Sequence, residues 1–501
     1  MNEGRDRDPV LVGAAQWSER RDDPAAAAGP VEILAAVARR AADDAGAGKA
    51  LLEALDTVAV PSVTAWRMRD AAGLLVEALG IAPARRVATP IGGNTPTMLV
   101  NRFAREIAGG RCEAVLVAGC DVFFSVLQAR RRGVRLAWPT GGDGRSEAAG
   151  DDASPVLEVE QRHGMVAPSS VYPLFENAWR ARRGWSLDEH RRRLGALLAP
   201  MTEVAAANPH AWFPVRRSAG EIATPATANR MVAFPYTKYM NAVLEVDQGA
   251  ALILCSRARA RALGVPEERL VHWWGGGDAK EEPWPVALRP DLSRSPGVAR
   301  VGAAALAEAG LTIGEVEHLD LYSCFPSAVQ LARDALGIAD DDPRPVTLTG
   351  GLPYAGGPGN AYTLHALARA AGRLRAAPGT HALVTGVGWY LSKHSAVVLG
   401  AAPRPDAAPA IGSIAVAPST SLPVELAEEA AEGSVETYTV LFDREGAPVR
   451  GIVLARLADG RRAVANTPPD RTLLEALAAR DPIGTPGRLR PGQPLQLFEP
   501  D

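Results

Sequence analysis

The chain contains 501 residues, of which 47% are hydrophobic and 22% are charged, and its formal net charge is -3. This composition is sufficient for two or three domains with a large core, and it excludes a strongly basic surface for nucleic acid. The polar start Met1–Pro9 lacks the apolar stretch of a signal peptide, and no run approaches the ~20 apolar residues that span a bilayer. We therefore expect a cytoplasmic protein that binds neither nucleic acid nor a membrane.

The cysteines are scattered and form no CxxC pair, so neither a disulfide framework nor a metal site is expected. They are Cys112, Cys120, Cys255 and Cys324.

The first residues alternate between strand and helix patterns. Apolar runs at Pro9–Ala15 and Leu55–Val60 predict buried strands, and helical spacing over Val31–Ala45 predicts a helix between them. This order is typical of a layered α/β protein with a parallel or mixed sheet. The segment from Glu158 to Trp212 is rich in helix formers and arginine, which predicts a helical insertion. The α/β pattern then resumes, with strands predicted at 249–254 and 319–321 and a helix at 326–336.

One unit occurs twice in the chain. Gly92-Gly93-Asn94-Thr95-Pro96 is followed by a helix pattern, a glycine turn and the apolar run 114–117; Gly356-Gly357-Pro358-Gly359-Asn360 is followed by the same sequence of features up to 382–384. Both helix patterns carry apolar residues at three- and four-residue spacing: Leu99, Phe103, Ile107 and Leu364, Leu367, Ala371, Leu374. The repetition favours two duplicated halves, although α/β proteins also repeat such units by chance.

The C-terminal part has a different pattern. An Ala- and Pro-rich connector over 401–423 precedes strand patterns at 437–442 and 451–457, which are followed by the hairpin-type dipeptide Asp459-Gly460. A short helix at 473–479 and an extended piece at 491–498 complete a small β-rich domain. A two-stranded hairpin alone is marginal in water, so this domain is expected to be compact and docked on the rest.

A glycine-rich turn that opens a helix lets the backbone approach a ligand and directs free N–H groups at it. Most such turns only connect elements, but two matched turns in duplicated halves favour a shared site. The candidate binding residues are therefore Gly92, Gly93, Asn94, Gly356, Gly357, Gly359 and Asn360.

Several strings resemble the thiolase superfamily. Ile107–Asp121 is similar to the turn and strand after the thiolase nucleophile loop, and Val246–Ala251 to the family's Asp-Gly-Ala-Ala strand. Leu321-Tyr322-Ser323-Cys324-Phe325 resembles the Asn-Glu-Ala-Phe loop, which reads His-Asp-Cys-Phe in the sterol-carrier branch. Gly350–Gly359 resembles the Gly-His-Pro loop. Phe234–Met240 and Gly351–Asn360 are most similar to thiolase-like proteins of type 1, which also carry an additional C-terminal domain.

The resemblance implies a thiolase fold of two βαβαβαββ-type halves in five layers (αβαβα). The expected domains are a first half over 1–270 with a helical insertion at about 125–230, a second half over 271–400, the connector 401–423 and the additional domain 424–501. Thiolases usually form dimers through the sheet edge of the first half. We expect a homodimer, or a monomer if the C-terminal domain covers that face.

The catalytic set of the family is missing at its usual places. The nucleophilic cysteine aligns with Gly93, the histidine before the loop proline aligns with Gly357, and 384–395 contains no acid/base cysteine. Because a covalent acyl-cysteine needs a thiolate and a partner base, ordinary thiolysis is not expected.

Polar residues remain in the loops that should form the site. The catalytic candidates are Tyr322, Cys324, Tyr354 and His394, while His365 beside the apolar stripe is interpreted as structural. Each candidate also has a structural interpretation, as a buried small side chain, a loop anchor or a strand end. The short basic runs Arg130–Arg132 and Arg191–Arg193 are interpreted as solvated faces, with contact to the 3′-phosphate of coenzyme A as the alternative.

Three functions follow from the resemblance. The first is binding of coenzyme A or acyl-CoA in lipid metabolism, by a member of the acyltransferase superfamily. This function requires no further cofactor and no metal. The second is an acyl-CoA retro-aldolase in which Tyr322 and Tyr354 act as acid and base. The third is an acyltransferase that uses Cys324 with His394.

Overall fold

Strands and helices alternate along the computed structural model, which describes residues 5–492 and 495–501. The strands are β1 (Pro9–Ser18), β2 (Thr57–Pro61), β3 (Arg85–Thr89), β4 (Ala114–Val122), β5 (Glu147–Ala148), β6 (Met231–Ala233), β7 (Tyr236–Thr237), β8 (Asp247–Ser256), β9 (Val271–Lys280), β10 (His318–Asp320), β11 (His381–Gly388), β12 (Lys393–Gly400), β13 (Ala431–Phe442), β14 (Pro448–Leu457), β15 (Arg462–Asn466), β16 (Pro486–Arg490) and β17 (Leu497–Pro500). The helices are α1 (Pro30–Asp44), α2 (Gly48–Glu53), α3 (Ala71–Leu79), α4 (Thr95–Ala108), α5 (Phe123–Arg132), α6 (Glu158–Arg162), α7 (Pro168–Arg183), α8 (Leu187–Ala206), α9 (Ala219–Ala223), α10 (Arg257–Ala262), α11 (Pro296–Ala309), α12 (Pro326–Leu336), α13 (Tyr362–Ala376) and α14 (Arg471–Ala479).

The predicted duplication is confirmed by the strand order. The strand order is β3-β2-β4-β8-β1 in the first half and β10-β11-β12-β9 in the second. The pair β2–β4 corresponds to β10–β11, and both pairs are parallel. The pairs β4–β8 and β8–β1 correspond to β11–β12 and β12–β9, and all four are antiparallel. The halves join edge to edge where Val10 and Leu11 of β1 pair with His272 and Val271 of β9. The sheet is therefore continuous, yet each half repeats one plan.

The second half differs at its third strand position. Residues 346–349 form no strand there; instead the Asp320 carboxylate accepts hydrogen bonds from the Leu348 amide (2.8 Å) and the Thr347 hydroxyl (3.0 Å). Because this buried carboxylate draws the backbone into a turn, the βαβαβαββ pattern is complete only in the first half.

The two repeated helices form the central layer. Helix α4 contacts strands of both halves, as does α13, while α1 and α3 cover the outer face of the first half and α11 that of the second. The predicted stripes of both central helices are fully buried, including Leu99, Phe103, Leu364 and Leu367. Their burial on two sides produces the five-layered arrangement and brings both glycine turns to the centre of the molecule.

The C-terminal domain is a closed barrel. Its strands follow the order β14-β15-β17-β16-β13, an additional β13–β14 pairing closes the ring, β15 and β17 pair in parallel, and α14 lies between β15 and β16 along the chain. This is the arrangement of an OB-fold, a five-stranded Greek-key barrel. The predicted extended piece at 491–498 begins after β16 ends and overlaps only the first two residues of β17, and its residues 493–494 lie outside the described part of the chain.

The barrel is docked on the insertion and on the second half. Leu441 of β13 pairs with Ala233 of β6, so the small β6–β7 hairpin that follows the insertion extends the barrel sheet. Asn177 of α7 donates to the Tyr438 carbonyl (2.9 Å). The connector runs along α11, where Gly412 N donates to a Glu308 carboxylate oxygen (2.6 Å). The prediction of a docked β-rich module is confirmed.

A fully buried arginine joins the barrel to the second half. The Arg462 guanidinium donates to the carbonyls of Ala287 (2.7 Å) and Arg289 (2.6 Å) and to the Glu436 carboxylate (2.7 Å). Loss of Arg462 would leave the two carbonyls without this donor and the Glu436 carboxylate with Arg456 alone (2.7 Å), and buried polar groups are costly when unpaired.

We expect Arg462→Met to lower the free energy of unfolding by about 3–5 kcal/mol, because it breaks a buried ion pair from one side. The neighbouring Arg461 pairs with Glu429 and Asp459 near the surface, so Arg461→Met should cost less than about 1 kcal/mol. Urea denaturation of both variants measures the difference. Equal losses would contradict the assigned role of Arg462.

Candidate functional site

The two predicted glycine turns meet at the start of α4. Gly92 N donates to the Asn360 side-chain oxygen (2.8 Å), and the Asn360 amide nitrogen donates to the Ser62 carbonyl (2.6 Å). The Thr95 hydroxyl donates to the Gly92 carbonyl (2.8 Å) and holds the turn in place. The structure therefore brings the turn of the first half and that of the second half into direct contact.

Tyr322 fills the position that a side chain at Gly93 would need. A Cβ atom on Gly93 would lie 2.0 Å from Tyr322 Oη and 2.7 Å from the Val387 carbonyl oxygen. Real Cβ atoms do not approach other atoms so closely, so neither cysteine nor alanine can be accommodated at Gly93 without displacement. The backbone amide of Tyr322 donates to the Thr385 hydroxyl (2.9 Å), which fixes its loop to β11.

Burial suppresses ionisation of both Tyr322 and Cys324. It raises the pKa of the Tyr322 phenol far above its ordinary value, with a smaller contribution from nearby Cys324. Burial likewise raises the pKa of the Cys324 thiol to about 12, although a hydrogen bond with Tyr172 opposes the shift. The Tyr172 ring stacks on Phe325 with centroids 4.4 Å apart. Neither the phenol nor the thiol is therefore ionised near neutral pH.

Tyr354 lies in the second glycine loop, under the insertion. Its carbonyl accepts a hydrogen bond from Phe213 N (3.0 Å), and its side chain is 2% exposed. Within the described residues, its buried hydroxyl has no hydrogen-bond partner. Burial raises the pKa of this phenol, and the charge of nearby Arg217 partly offsets that shift. Tyr354 is thus a neutral phenol beside a cation.

His394 lies on the opposite face of the sheet from the glycine turns. Its Nε2 contacts the Glu281 carboxylate (3.1 Å) and the Leu391 carbonyl (2.9 Å), and its ring packs against Gly297 of α11. The next residue, Ser395, instead accepts a hydrogen bond from the Asn94 amide (3.2 Å) in the central layer. Because neighbouring side chains of a strand alternate, His394 cannot face Cys324. The predicted Cys324–His394 pair is not formed.

His365 has the surroundings of a structural residue. Its Nδ1 contacts the Gln16 side-chain oxygen (3.0 Å), and burial lowers its pKa to about 3, so the ring stays neutral.

The other loop glycines differ in their surroundings. Gly356 lies against the Gln248 amide, and Gly359 has φ 51° and packs against the Asp121 carboxylate. Gly357, at the position of the thiolase histidine, has more space, since a Cβ there would lie 3.2 Å from the Val243 carbonyl oxygen.

An apolar and basic rim borders this loop and was not predicted from the sequence. Gly357 N donates to the Val243 carbonyl (2.8 Å), which places Leu244 beside the loop with half of its surface exposed. Val215, two residues after Phe213, is 48% exposed. Arg216 and Arg217 follow it directly. The only sequence signal was this short apolar–basic string inside the insertion.

Lys393 was also missed. Its ammonium donates to the Ile91 carbonyl (3.2 Å) and to the Asp151 carbonyl, beside the first glycine turn. Burial lowers its pKa.

The two predicted basic runs lie elsewhere, at the surface. Arg131 is 3.5 Å from the Glu245 carboxylate, and Arg193 is 2.9 Å from that of Glu189. Both pairs have exposed side chains, which is consistent with solvated faces.

Comparison with known proteins places the chain in a family. Residues 414–493 match the thiolase-like protein type 1 additional C-terminal domain. Comparison with curated proteins gives no match. Among solved structures, the chain is similar to a monomeric SCP2-thiolase like protein type 1 (STLP1) from Mycobacterium smegmatis, with 34% identity, a TM-score of 0.84 and 99% of each chain covered.

A second solved structure shares the fold. It is an Ltp2-ChsH2(DUF35) aldolase, with 16% identity, a TM-score of 0.61, and coverage of 79% of this chain and 98% of that one. With 34% identity over 99% of each chain in the first comparison, and with the match of its C-terminal domain, the chain belongs to the SCP2-thiolase-like proteins of type 1.

Proposed function

We propose that this protein binds acyl-CoA without carrying out thiolysis. The observation that supports this most directly is Tyr322, whose hydroxyl occupies the space that a nucleophilic side chain at Gly93 would require. The remaining thiol of the site, Cys324, is buried, and a pKa of about 12 leaves almost no thiolate at neutral pH. Because His394 faces the other side of the sheet, Cys324 lacks this histidine as a base.

The rim of the second glycine loop supports an acyl-CoA ligand. Exposed Leu244 and Val215 can contact an apolar arm, while Arg216 and Arg217 supply positive charge. Arg216 is paired with Glu203, whereas Arg217 lies over the Tyr239 ring at 3.9 Å. A ligand with an apolar chain and phosphate groups suits this combination.

Retro-aldol cleavage of a β-hydroxyacyl-CoA is a second candidate, favoured by the position of the Tyr322 hydroxyl. A phenol could act there as an acid, but as a base it would need a lower pKa than burial gives it. If the native protein cleaves a β-hydroxyacyl-CoA and Tyr322→Phe abolishes that cleavage, the retro-aldolase activity is established. If the native protein binds acyl-CoA but cleaves no β-hydroxyacyl-CoA, only the binding function remains.

The protein is further proposed to be a monomer. The edge of β3 is covered by β5, where Val87 and Ala88 pair with Glu147 and Ala148. Glu147 also forms ion pairs with Arg85 (3.3 Å) and Arg102 (2.6 Å). This edge therefore offers few unpaired backbone groups to a second copy, and the cover is supplied by the segment before the insertion helices rather than by the C-terminal domain.

Leu244→Asp should weaken acetyl-CoA binding about tenfold, equivalent to about 1.4 kcal/mol, because it removes an apolar contact and adds a charge that repels phosphate. Calorimetric titration measures the change. Leu422→Asp is the matched control, since Leu422 is 80% exposed on the connector. If both variants bind as the native protein does, the rim does not hold the ligand.

The native protein should show no rapidly reacting thiol toward a disulfide reagent at pH 7–8. All four cysteines are buried, and burial raises the pKa of Cys324 and Cys255 to about 12. All four should react after denaturation. A fast-reacting thiol in the native state, mapped to Cys324 by mass spectrometry, would restore a covalent mechanism.

Light scattering after size exclusion should give a mass near 52.6 kDa at micromolar concentration. A mass twice as large would show that another surface mediates dimerisation.

A further inference from the structure

A separate cavity of about 300 Å³ lies between the insertion and the second half. It is lined by residues of α7, α8 and α12 and by the loop from Asp340 to Val346. None of its lining residues belongs to the glycine turns, the Tyr322 loop or the rim around Leu244. The volume is at the lower end of that of small-molecule sites.

One wall of the cavity is aromatic. Trp179 and Trp185 meet edge to face with ring centroids 5.0 Å apart. Trp179 is held in place because its Nε1 donates to the Asp334 carboxylate (2.7 Å). The Arg193 guanidinium lies 4.1 Å from the centroid of Trp185, and the Arg183 guanidinium lies 4.9 Å from that centroid and 5.4 Å from that of Trp179. Such a wall suits a flat ring more than a flexible alkyl chain.

The charges around the cavity leave one cation in excess. Arg344 is paired with Asp342 at 2.6 Å, Arg193 with Glu189 at 2.9 Å, and Asp340 with Arg183. Arg333 forms no ion pair within the described part of the chain. One of its terminal nitrogens donates to the Ala339 carbonyl, while its buried Nε has no hydrogen-bond partner there. A single guanidinium without an anionic partner is matched by one carboxylate.

Gln330 lies one helical turn before Arg333 on α12 and also lines the cavity. It is 7% exposed, and its buried Oε1 has no partner among the described residues. Because buried polar groups are normally hydrogen-bonded, this oxygen calls for a donor from outside the chain. Residues three apart on a helix lie side by side, so the donor should be close to the group that Arg333 binds.

We propose that this cavity is a second ligand site, which binds a small aromatic carboxylate with a hydroxyl or N–H donor beside the carboxylate, such as an aromatic 2-hydroxy acid. The ring lies on the Trp179–Trp185 wall, the carboxylate pairs with Arg333, and the donor reaches Gln330. Acyl-CoA is a poor match, since one arginine without an anionic partner cannot balance its several phosphate charges. The site is independent of the proposed acyl-CoA function.

The full-length protein can be titrated with 3-phenyllactate by ligand-observed NMR and calorimetry. A ligand of this size should bind with a dissociation constant of about 1 mM. The neutral amide, 3-phenyllactamide, should bind about tenfold more weakly because it lacks the charge, and lactate should bind more weakly still because it lacks the ring. The proposal is overturned if the native protein does not bind 3-phenyllactate, or if it binds 3-phenyllactate and 3-phenyllactamide with equal affinity. This test needs no substitution in the protein.

Arg333→Gln should weaken 3-phenyllactate binding about tenfold and leave 3-phenyllactamide unchanged, which also reports that the cavity is intact. Arg192→Gln, at an exposed position of α8, is the matched control and should change neither affinity. An Arg333→Gln protein that still distinguishes acid from amide as the native protein does would overturn the assignment of Arg333.

Discussion

The site depends on one steric constraint, the contact between the Tyr322 hydroxyl and the backbone of Gly93. Tyr322 can enter the centre of the molecule only because residue 93 has no side chain. The Tyr322 hydroxyl then occupies the space beside Gly93, and the Gly92–Asn94 turn is held by Asn360 and Ser395. A side chain at residue 93 is therefore excluded for as long as Tyr322 keeps this position.

The additional barrel is joined to the core by a shared sheet. The segment between α8 and β8 contributes β6–β7 to the barrel on one side, and on the other side it contributes Phe213, Val215 and Leu244 to the region of the second glycine loop. A change in the packing of the barrel can therefore reach the rim through this segment. Arg462 provides a second, independent attachment to the segment at Ala287–Arg289.

Local patterns were sufficient to predict much of the fold. The helix at 326–336 and the buried stripes of α4 and α13 were predicted correctly. The spacing of apolar residues along a helix repeats within a few residues, so a short stretch of sequence is enough to recognise it. The meeting of the two glycine turns followed from the duplication. The closure of the barrel could not be predicted, since the parallel pair β15–β17 joins segments that are separated by α14.

The incorrect part of the predicted site has a physical reason. Strand β12 is buried on both faces, so its sequence has no alternation that shows which way His394 points. The loop of Tyr322 is recognisable in the sequence, but the contact of its hydroxyl with Gly93 is visible only in the three-dimensional structure. The rim residues Leu244 and Arg217 come from the segment between α8 and β8, which has little pattern of its own, and were recognisable only from their exposure and position.

A double-mutant cycle of Gly93→Ala and Tyr322→Ala tests the central contact most directly, with the free energy of unfolding as the measurement. If the Tyr322 hydroxyl fills the space beside Gly93, Gly93→Ala should be strongly destabilising in the native chain. It should be less so, by at least about 1 kcal/mol, when Tyr322 is already alanine. Additive effects of the two substitutions would contradict the account, because they would mean that Tyr322 does not occupy the place of the missing side chain.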